Sequence, residues 1–415
     1  MLAAALVLGA ATAVGVWLFK QTVYLIATGG WGWVDPAGPL WMRWPLLVVP
    51  VAGGLLVGLI LHWTRSPEEP GHGVTEVIEA VKLDAEDMPY HRIGVKAPVA
   101  ALSLGSGASL GPEDPAVEIG GSVGALAGAR LGWSHDRVQD LVATGAAAGI
   151  SAAFHAPLAA ILFTVEVFGV RLPSPRMAWV AAGSLAAWTA MRVMAPDLVF
   201  RIPEQDRLTL WSLLFGVLLG VVAGAVGALL VRTMYAIQHA FLGWRSIPRW
   251  AKPGIGGVAL GLVGLWLPQV LGIGYETIQG VVDGDRHGLL LLTTLLVAKL
   301  GLMALSFGSG FLGGFFAPAF FGGAVMGAMF GLGVEILVPG DPVTFAVVGM
   351  AALLAGIVHA PLTAVLLVAA VSDNYAVVPL LLLASLIAYS VSVRLVGASA
   401  YTYPLVHPPD AHPRP

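Results

Sequence analysis

Three acids fall within six residues of a chain that is otherwise poor in charge. Glu113, Asp114 and Glu118 lie in the stretch Gly105-Ser-Gly-Ala-Ser-Leu-Gly-Pro-Glu-Asp-Pro-Ala-Val-Glu-Ile-Gly-Gly121, with apolar sequence on both sides. An ionisable group at membrane depth costs roughly 2.5–3.5 kcal/mol even on a lenient insertion scale, and acids kept there usually face a cavity or a pathway. Gly111 and Pro112 interrupt one helix, and Pro115 suits the first turn of the next. Glu113 and Asp114 then fall at a helix start, where unpaired amides and the positive dipole end favour negative charge. The same amides would bind a free anion. A carboxylate and an anion competing for one helix terminus form a device for gated anion movement.

Composition fixes the setting. Of 415 residues, 57% are hydrophobic and 11% are charged, with a mean hydropathy of +0.84. Soluble domains carry about 25% charged residues, so the chain reads as an all-α integral membrane protein in a lipid bilayer. A net charge of -3 gives no reason to expect nucleic acid. The absence of Cys excludes disulfides, thiolate catalysis and thiolate metal sites. Leu2 to Phe19 lacks a basic leader and is followed by further spans, so it reads as a true first span rather than a cleaved signal.

The elements that must position the acids follow in order. Spans are expected at 2–27 and 40–63. A polar stretch from Arg65 to Lys96 contains Gly71-His-Gly-Val-Thr-Glu76 and an amphipathic run that Thr75 could cap. A Gly/Ala-rich helix continues to Leu131. Apolar segments follow at 145–168, 177–194, 208–232, 254–272, 288–307, 315–337, 343–371 and 376–396, and a Pro/His-rich tail ends the chain.

The chain repeats itself. A constant 203 residues separates Gly111, Pro115, Gly120 and Gly128 from Gly314, Pro318, Gly323 and Gly331, and Lys96 from Lys299. At a spacing of 204, His155-Ala-Pro-Leu158 matches His359-Ala-Pro-Leu362. This predicts a first membrane repeat over 1–203, a second over 204–404 and a short polar tail over 405–415. Interrupted segments at matching places in two halves point to a transporter site near the midplane. Gly314-Phe-Phe-Ala-Pro318 answers Gly111-Pro-Glu-Asp-Pro115, supplying Phe where the first half supplies acids.

These motifs resemble the CLC chloride channel and transporter family over nearly the whole chain. Gly71-His-Gly-Val-Thr-Glu76 is similar to its GSGIPE segment. Gly111-Pro-Glu-Asp-Pro115 with Ala-Val-Glu-Ile-Gly-Gly is similar to GREGP-x-VQIGG. His155-Ala-Pro-Leu-Ala-Ala-Ile-Leu-Phe-Thr-Val-Glu166 resembles NAPLAGILF-x-x-E, and Gly313-Gly-Phe-Phe-Ala-Pro318 resembles GGIFAP. Gly397-Ala-Ser-Ala-Tyr401 resembles the segment with the pore tyrosine.

The resemblance implies a CLC-type fold of two inverted-topology repeats with broken and re-entrant helices. It implies a homodimer with one pore per subunit in the cell membrane, plasma or inner. Small inorganic anions and protons are the cargo, and no cofactor or metal is implied. Glu113 matches the gating glutamate, which occupies an anion site and carries the proton. The anion contacts carry over to His72, Gly73, Phe315, Phe316 and Tyr401, and Lys96 lies beneath the pathway. The chain departs from the pattern at His72, where the family has serine, and at Pro112 and Asp114. Val167 stands where many exchangers have an internal proton-transfer glutamate, and Glu166 is one residue, about 100° of helix, away from it. No segment resembling the family's regulatory CBS domains follows the core, so nucleotide regulation is not implied.

Structural readings stand beside these. Asp114 reads foremost as a local cap, and Glu118 as either a hydrogen-bonded structural acid or a pathway residue. Glu166 reads foremost as a paired structural acid, with pathway lining as its alternative. His155 and His359 read as structural. The functional expectation is chloride transport, and transport of other small anions, exchanged against protons. The alternatives are an uncoupled channel, a fluoride exporter, and an intramembrane hydrolase using Glu113, Glu166, His155 or His359. The last lacks any visible nucleophile–base pair or metal-ligand spacing.

Overall fold

The computed structural model describes residues 1–35, 38–64, 73–83, 88–171, 173–196, 209–284, 288–338, 341–373 and 375–407. His72, the boundary expected at 203/204 and most of the tail lie outside them. The described residues contain 17 α-helices and no β-strand. In the first half these are α1 (Leu2–Gly30), α2 (Trp44–Trp63), α3 (Gly73–Val81), α4 (Ile93–Gly105), α5 (Glu113–Leu131), α6 (His135–Phe154), α7 (Pro157–Glu166) and α8 (Pro175–Met194). The second half repeats the series as α9 (Leu210–Gly243), α10 (Lys252–Gly264), α11 (Tyr275–Val282), α12 (Leu289–Ser309), α13 (Phe316–Glu335), α14 (Pro342–Val358), α15 (Pro361–Ser372) and α16 (Val378–Val396). A single turn, α17 (Tyr403–Val406), follows.

Among the described residues six segments are long and apolar enough to cross a membrane: α1, the stretch from Leu40 to Trp63, α9, α12, α13 and α16. A crossing needs about 20 residues. The 9-residue α3, 8-residue α11 and 10-residue α7 are too short to cross on their own.

Two of the expected apolar segments are broken rather than continuous. Residues 145–168 divide into α6 and α7, and 343–371 into α14 and α15, at equivalent points. His155 and His359 cap α6 and α14 in the left-handed region, with φ of 56° and 59°. Such caps are usually glycine. The following Ala156 and Ala360 precede proline, a position biased away from the helical region. Pro157 and Pro361 then open the next helices, where a missing amide costs nothing. The two histidines thus act through backbone conformation, a role their sequence did not signal. The span expected at 254–272 likewise ends at Gly264, and a 3₁₀ turn follows at Pro268–Val270.

Small residues bring the helices of each half together. A side chain at Gly120 would overlap the carbonyl of Gly145, and one at Gly145 would overlap that of Gly120. Gly323 and Gly349 repeat this reciprocal contact between α13 and α14. Close backbone approach of this kind is how membrane helices pack without a hydrophobic drive between them.

Candidate functional site

The halves meet through equivalent residues. Gly111 N donates to Gly314 O at 2.9 Å, and Gly314 N donates to Gly111 O at 2.8 Å. Leu312 N donates to Ser103 Oγ at 3.0 Å, and Ser109 N donates to Ser306 Oγ at 3.2 Å. Gly111 and Gly314 are 203 apart, as are Ser103 and Ser306, and Ser109 and Leu312, so the last two bonds are one contact made once from each half. Exchange of the same contact in both directions is what a two-fold relation produces. It sets the starts of α5 and α13 side by side.

Glu113 crosses this axis. It is the first residue of α5 and fully buried, and its Oε1 accepts the Phe316 amide of α13 at 2.5 Å. Its Oε2 is buried with no hydrogen-bond partner among the described residues. The carboxylate therefore sits where an anion would meet the start of α13. Phe315 precedes that helix as its cap and is buried. The Phe316 ring stacks on Phe154 at 5.9 Å, and Phe163 meets it edge-on. This aromatic packing fixes the amide's position.

Asp114 turns to the other wall. Its Oδ1 accepts the Tyr401 hydroxyl at 2.9 Å. Asp114 is thus more than a local cap of α5: its carboxylate takes the donor assigned above to an anion. Tyr401 is held from several directions. Thr75 Oγ1 donates to its carbonyl at 3.2 Å, and Phe315 packs against its ring at 5.7 Å. Next to it, Tyr235 donates to Ala400 O at 2.5 Å. Thr75 does not cap α3, which begins at Gly73, and it ties that helix to Tyr401 instead. A side chain at Gly73 would collide with Glu118, so this glycine lets α3 close on α5.

Lys96, Glu118 and Glu76 form a cluster one turn away. Lys96 Nζ is ion-paired with Glu76 and lies 2.8 Å from Glu118 Oε1. In the second half, Lys299 donates to Val270 O at 3.2 Å and Gly272 O at 2.6 Å, with the Phe321 ring 5.1 Å away. Glu118 and Phe321 are themselves repeat equivalents. Each half therefore sets its lysine against the same position, against a carboxylate in one and an aromatic face in the other.

Glu166 and Val167 lie elsewhere. Glu166 accepts from Leu362 N at 2.9 Å, and from Thr363 N and Oγ1 at 2.7 and 2.6 Å. It thereby caps α15. Val167 is buried, and its carbonyl lies 3.5 Å from Lys82 Nζ. His359 pairs with Ser392 Oγ at 3.0 Å. Among the described residues no group of three His, Cys, Asp or Glu could hold a metal ion.

Residues 53–393 match the voltage-gated chloride channel family. The chain belongs to the CLC family. It is 34% identical over 414 residues to a ClcB-like chloride channel protein of Ralstonia nicotianae, covering 96% of this chain and 94% of that one. It is 33% identical over 382 residues to the H(+)/Cl(-) exchange transporter ClcA of Vibrio campbellii, covering 88% and 79%. The crystal structure of a slow cyanobacterial Cl-/H+ antiporter superposes with a TM-score of 0.88 at 27% identity, over 98% of this chain and 97% of that one. The fold is accordingly the CLC fold of inverted repeats, in a multi-pass membrane protein, and the relatives are named as transporters and channels rather than enzymes.

Within this CLC fold the motif residues Gly73, Glu113, Phe315, Phe316 and Tyr401 converge at one place, joined by Asp114. In sequence Glu76 is the last residue of the Gly71–Glu76 motif, with no role assigned to it there. Its place three residues after Gly73, on the same helix face, is the signal that tied it to Glu118.

Proposed function

We propose that this CLC protein exchanges chloride, and other small anions, against protons across the cell membrane, with Glu113 as gate and proton carrier. The observation that carries the reading is the Glu113 carboxylate on the Phe316 amide. Protonation removes the charge that holds it there. The neutral side chain leaves, and the amides of Phe315 and Phe316 with the Tyr401 hydroxyl become donors for a dehydrated anion. Deprotonation returns the carboxylate and expels the anion. One group that competes with the anion and carries the proton couples the two fluxes.

Gly73, at the start of α3, completes the anion site, with His72 as its neighbour outside the described residues. Glu166 acts as a structural clasp between the repeats. The repeats divide at 203/204, and the protein works as a homodimer. Exposed Leu158, Leu185, Leu362 and Leu386 on α7, α8, α15 and α16 support an apolar partner surface there. No cofactor enters the cycle.

A second reading rests on Val167, which offers no acid at the usual internal relay position: anion flux uncoupled from protons. Purified protein in chloride-loaded liposomes decides, read by a chloride electrode and a pH electrode together. Exchange gives proton movement against its gradient driven by chloride. Chloride efflux without proton uptake establishes the uncoupled channel, and vesicles that hold chloride overturn both readings. Repeating the run with fluoride and nitrate ranks the anions.

A further inference from the structure

Exchange at Glu113 needs a route by which the proton reaches or leaves a fully buried carboxyl. Val167 supplies no acid on α7. Glu166 is committed to three donors at the start of α15. The acids that do adjoin Glu113 lie on its own helix.

Asp114 and Glu118 are four residues apart on α5, so they share one face, with Cβ atoms about 5–6 Å apart. Both line a cavity of about 30 Å³ together with Lys96, Gly73 and Phe307. A space of that size, mostly apolar but with the polar ends of Asp114, Glu118 and Lys96 in its wall, has room for a water molecule with those partners. Beyond it stands the Glu118–Lys96–Glu76 cluster. Its single cation offsets one of two carboxylates, so the cluster accepts one further proton while Lys96 keeps an ionised partner. That proton belongs to the group rather than to one residue. Glu76 Oε2 is buried and without a hydrogen-bond partner among the described residues, a seat for such a proton.

Exposure gives the series a direction. It is 0% at Glu113 and 3% at Asp114, then 11% at the Lys96 side chain, 12% at Glu118 and 17% at Glu76. Glu76 sits on α3, whose far end brings Lys82 to the Val167 carbonyl. Water thus reaches the cluster before it reaches the gate.

We propose that α5 carries the proton relay in this protein: Asp114, the water-sized cavity and the Glu118–Lys96–Glu76 cluster connect Glu113 to the α3 side. This rests on the exchange reading above. Each step breaks one O–H bond and forms another. The Glu113 carboxyl gives its proton to the Asp114 carboxylate, which passes it through cavity water to Glu118 and Glu76. No electron moves and no co-reactant is needed. Other titratable groups face this series from their own elements. Tyr235 on α9 and Tyr275 on α11 are within electrostatic reach of Asp114 and Glu113, and Tyr401 bonds Asp114 directly. Lys299 on α12 is turned to the Val270 and Gly272 carbonyls, away from the series.

The test uses the full chain in liposomes, with chloride and proton fluxes recorded together. Glu118→Gln and Asp114→Asn are each expected to lower the number of protons moved per chloride by about tenfold or more, as loss of a positioned proton-transfer group does. Glu118→Asp restores an acid and recovers the ratio. Lys82→Met keeps the wild-type ratio. A wild-type ratio in Glu118→Gln overturns the relay while leaving exchange intact. Loss of coupling in Lys82→Met moves the route to the Val167 side and also overturns it. Where Glu118→Gln does not assemble, the ratio in Asp114→Asn decides. A wild-type protein that moves chloride without protons overturns both the relay and the exchange reading.

Discussion

Glu113 and Phe316 occupy the same position in the two halves, and the carboxylate of one accepts the backbone amide of the other at 2.5 Å. A two-fold arrangement of broken helices points two positive helix starts at one place. Two bare starts would make a symmetric, permanently attractive anion site. Placing an acid at the start of α5 and an aromatic residue at the start of α13 breaks that symmetry. One half supplies the donors, and the other supplies a tethered anion that can be switched off by a proton. The Gly111–Gly314 contact keeps the two starts in register, so the competition between carboxylate and anion takes place at a fixed distance.

Chloride flux is expected to rise as pH falls. Protonating Glu113 removes its charge, and with it the charged acceptor at the Phe316 amide, so low pH favours the anion and high pH favours the carboxylate. In Glu113→Gln the side chain is neutral at every pH. Its flux should lose the pH slope, and its proton transport should fall to background while chloride still crosses. Initial rates in vesicles between acidic and neutral pH, for wild type and variant, measure both effects. A pH slope that survives in Glu113→Gln removes this residue from the gate.

Gly314→Ala should crowd the gate without straining the backbone, because Gly314 is not among the residues with positive φ. A Cβ there would overlap the carboxylates of both Glu113 and Asp114. Overpacking of this kind costs about 1–3 kcal/mol, so thermal unfolding in detergent should occur at a lower temperature. Removing the obstacle with Glu113→Ala should restore part of the loss. The double variant then shows a coupling of about 0.5–3 kcal/mol, as contacting residues do. Additive effects of the two substitutions would mean that the carboxylate does not rest against Gly314.

The sequence made the frame of this site legible, because repeat spacing and helix breakers are local signals. The spacing that links Gly111 to Gly314 also carries the Ser109–Ser306 bond onto the Leu312–Ser103 bond across the axis. Glu113 was legible as a first-turn acid for the same reason. The breaks at His155 and His359 were not, since a left-handed histidine leaves no compositional mark. The Asp114–Tyr401 bond was hidden by distance, its partners being 287 positions apart in sequence. Local rules made Asp114 foremost a helix cap, and only the folded chain brings the tyrosine to it. Lys96 shows the same limit: its repeat partner Lys299 was visible, but not that one faces carboxylates and the other carbonyls and a ring.

Tyr401→Phe removes one hydroxyl and leaves the ring packing on Phe315 and Phe163 in place. It deprives buried Asp114 of a donor, so stability should fall by about 1–3 kcal/mol, the cost of losing a hydrogen bond to a charged group. Chloride should also bind more weakly, because the same hydroxyl serves the anion when Asp114 gives it up. Thermal unfolding measured across a chloride series reads both effects: the variant starts lower and gains less from added chloride. Equal chloride stabilisation in variant and wild type would show that the hydroxyl serves Asp114 alone.

Glu166→Ala should act on the fold and not on coupling. The first amides of a helix have no partner within it, and a carboxylate at that end both accepts their hydrogen bonds and meets the positive end of the dipole. Glu166 does this for α15 while belonging to α7, so it fastens equivalent helices of the two repeats. Because the side chain is partly exposed, its removal should cost about 1–2 kcal/mol, below the full worth of several charged hydrogen bonds. The melting temperature in detergent should drop accordingly, and Glu166→Gln, which keeps one acceptor oxygen, should fall between the two. Protons moved per chloride should match the wild type in both variants. A Glu166→Gln protein of normal stability that moves chloride without protons would instead place Glu166 in the proton route, one residue before the position where Val167 offers none.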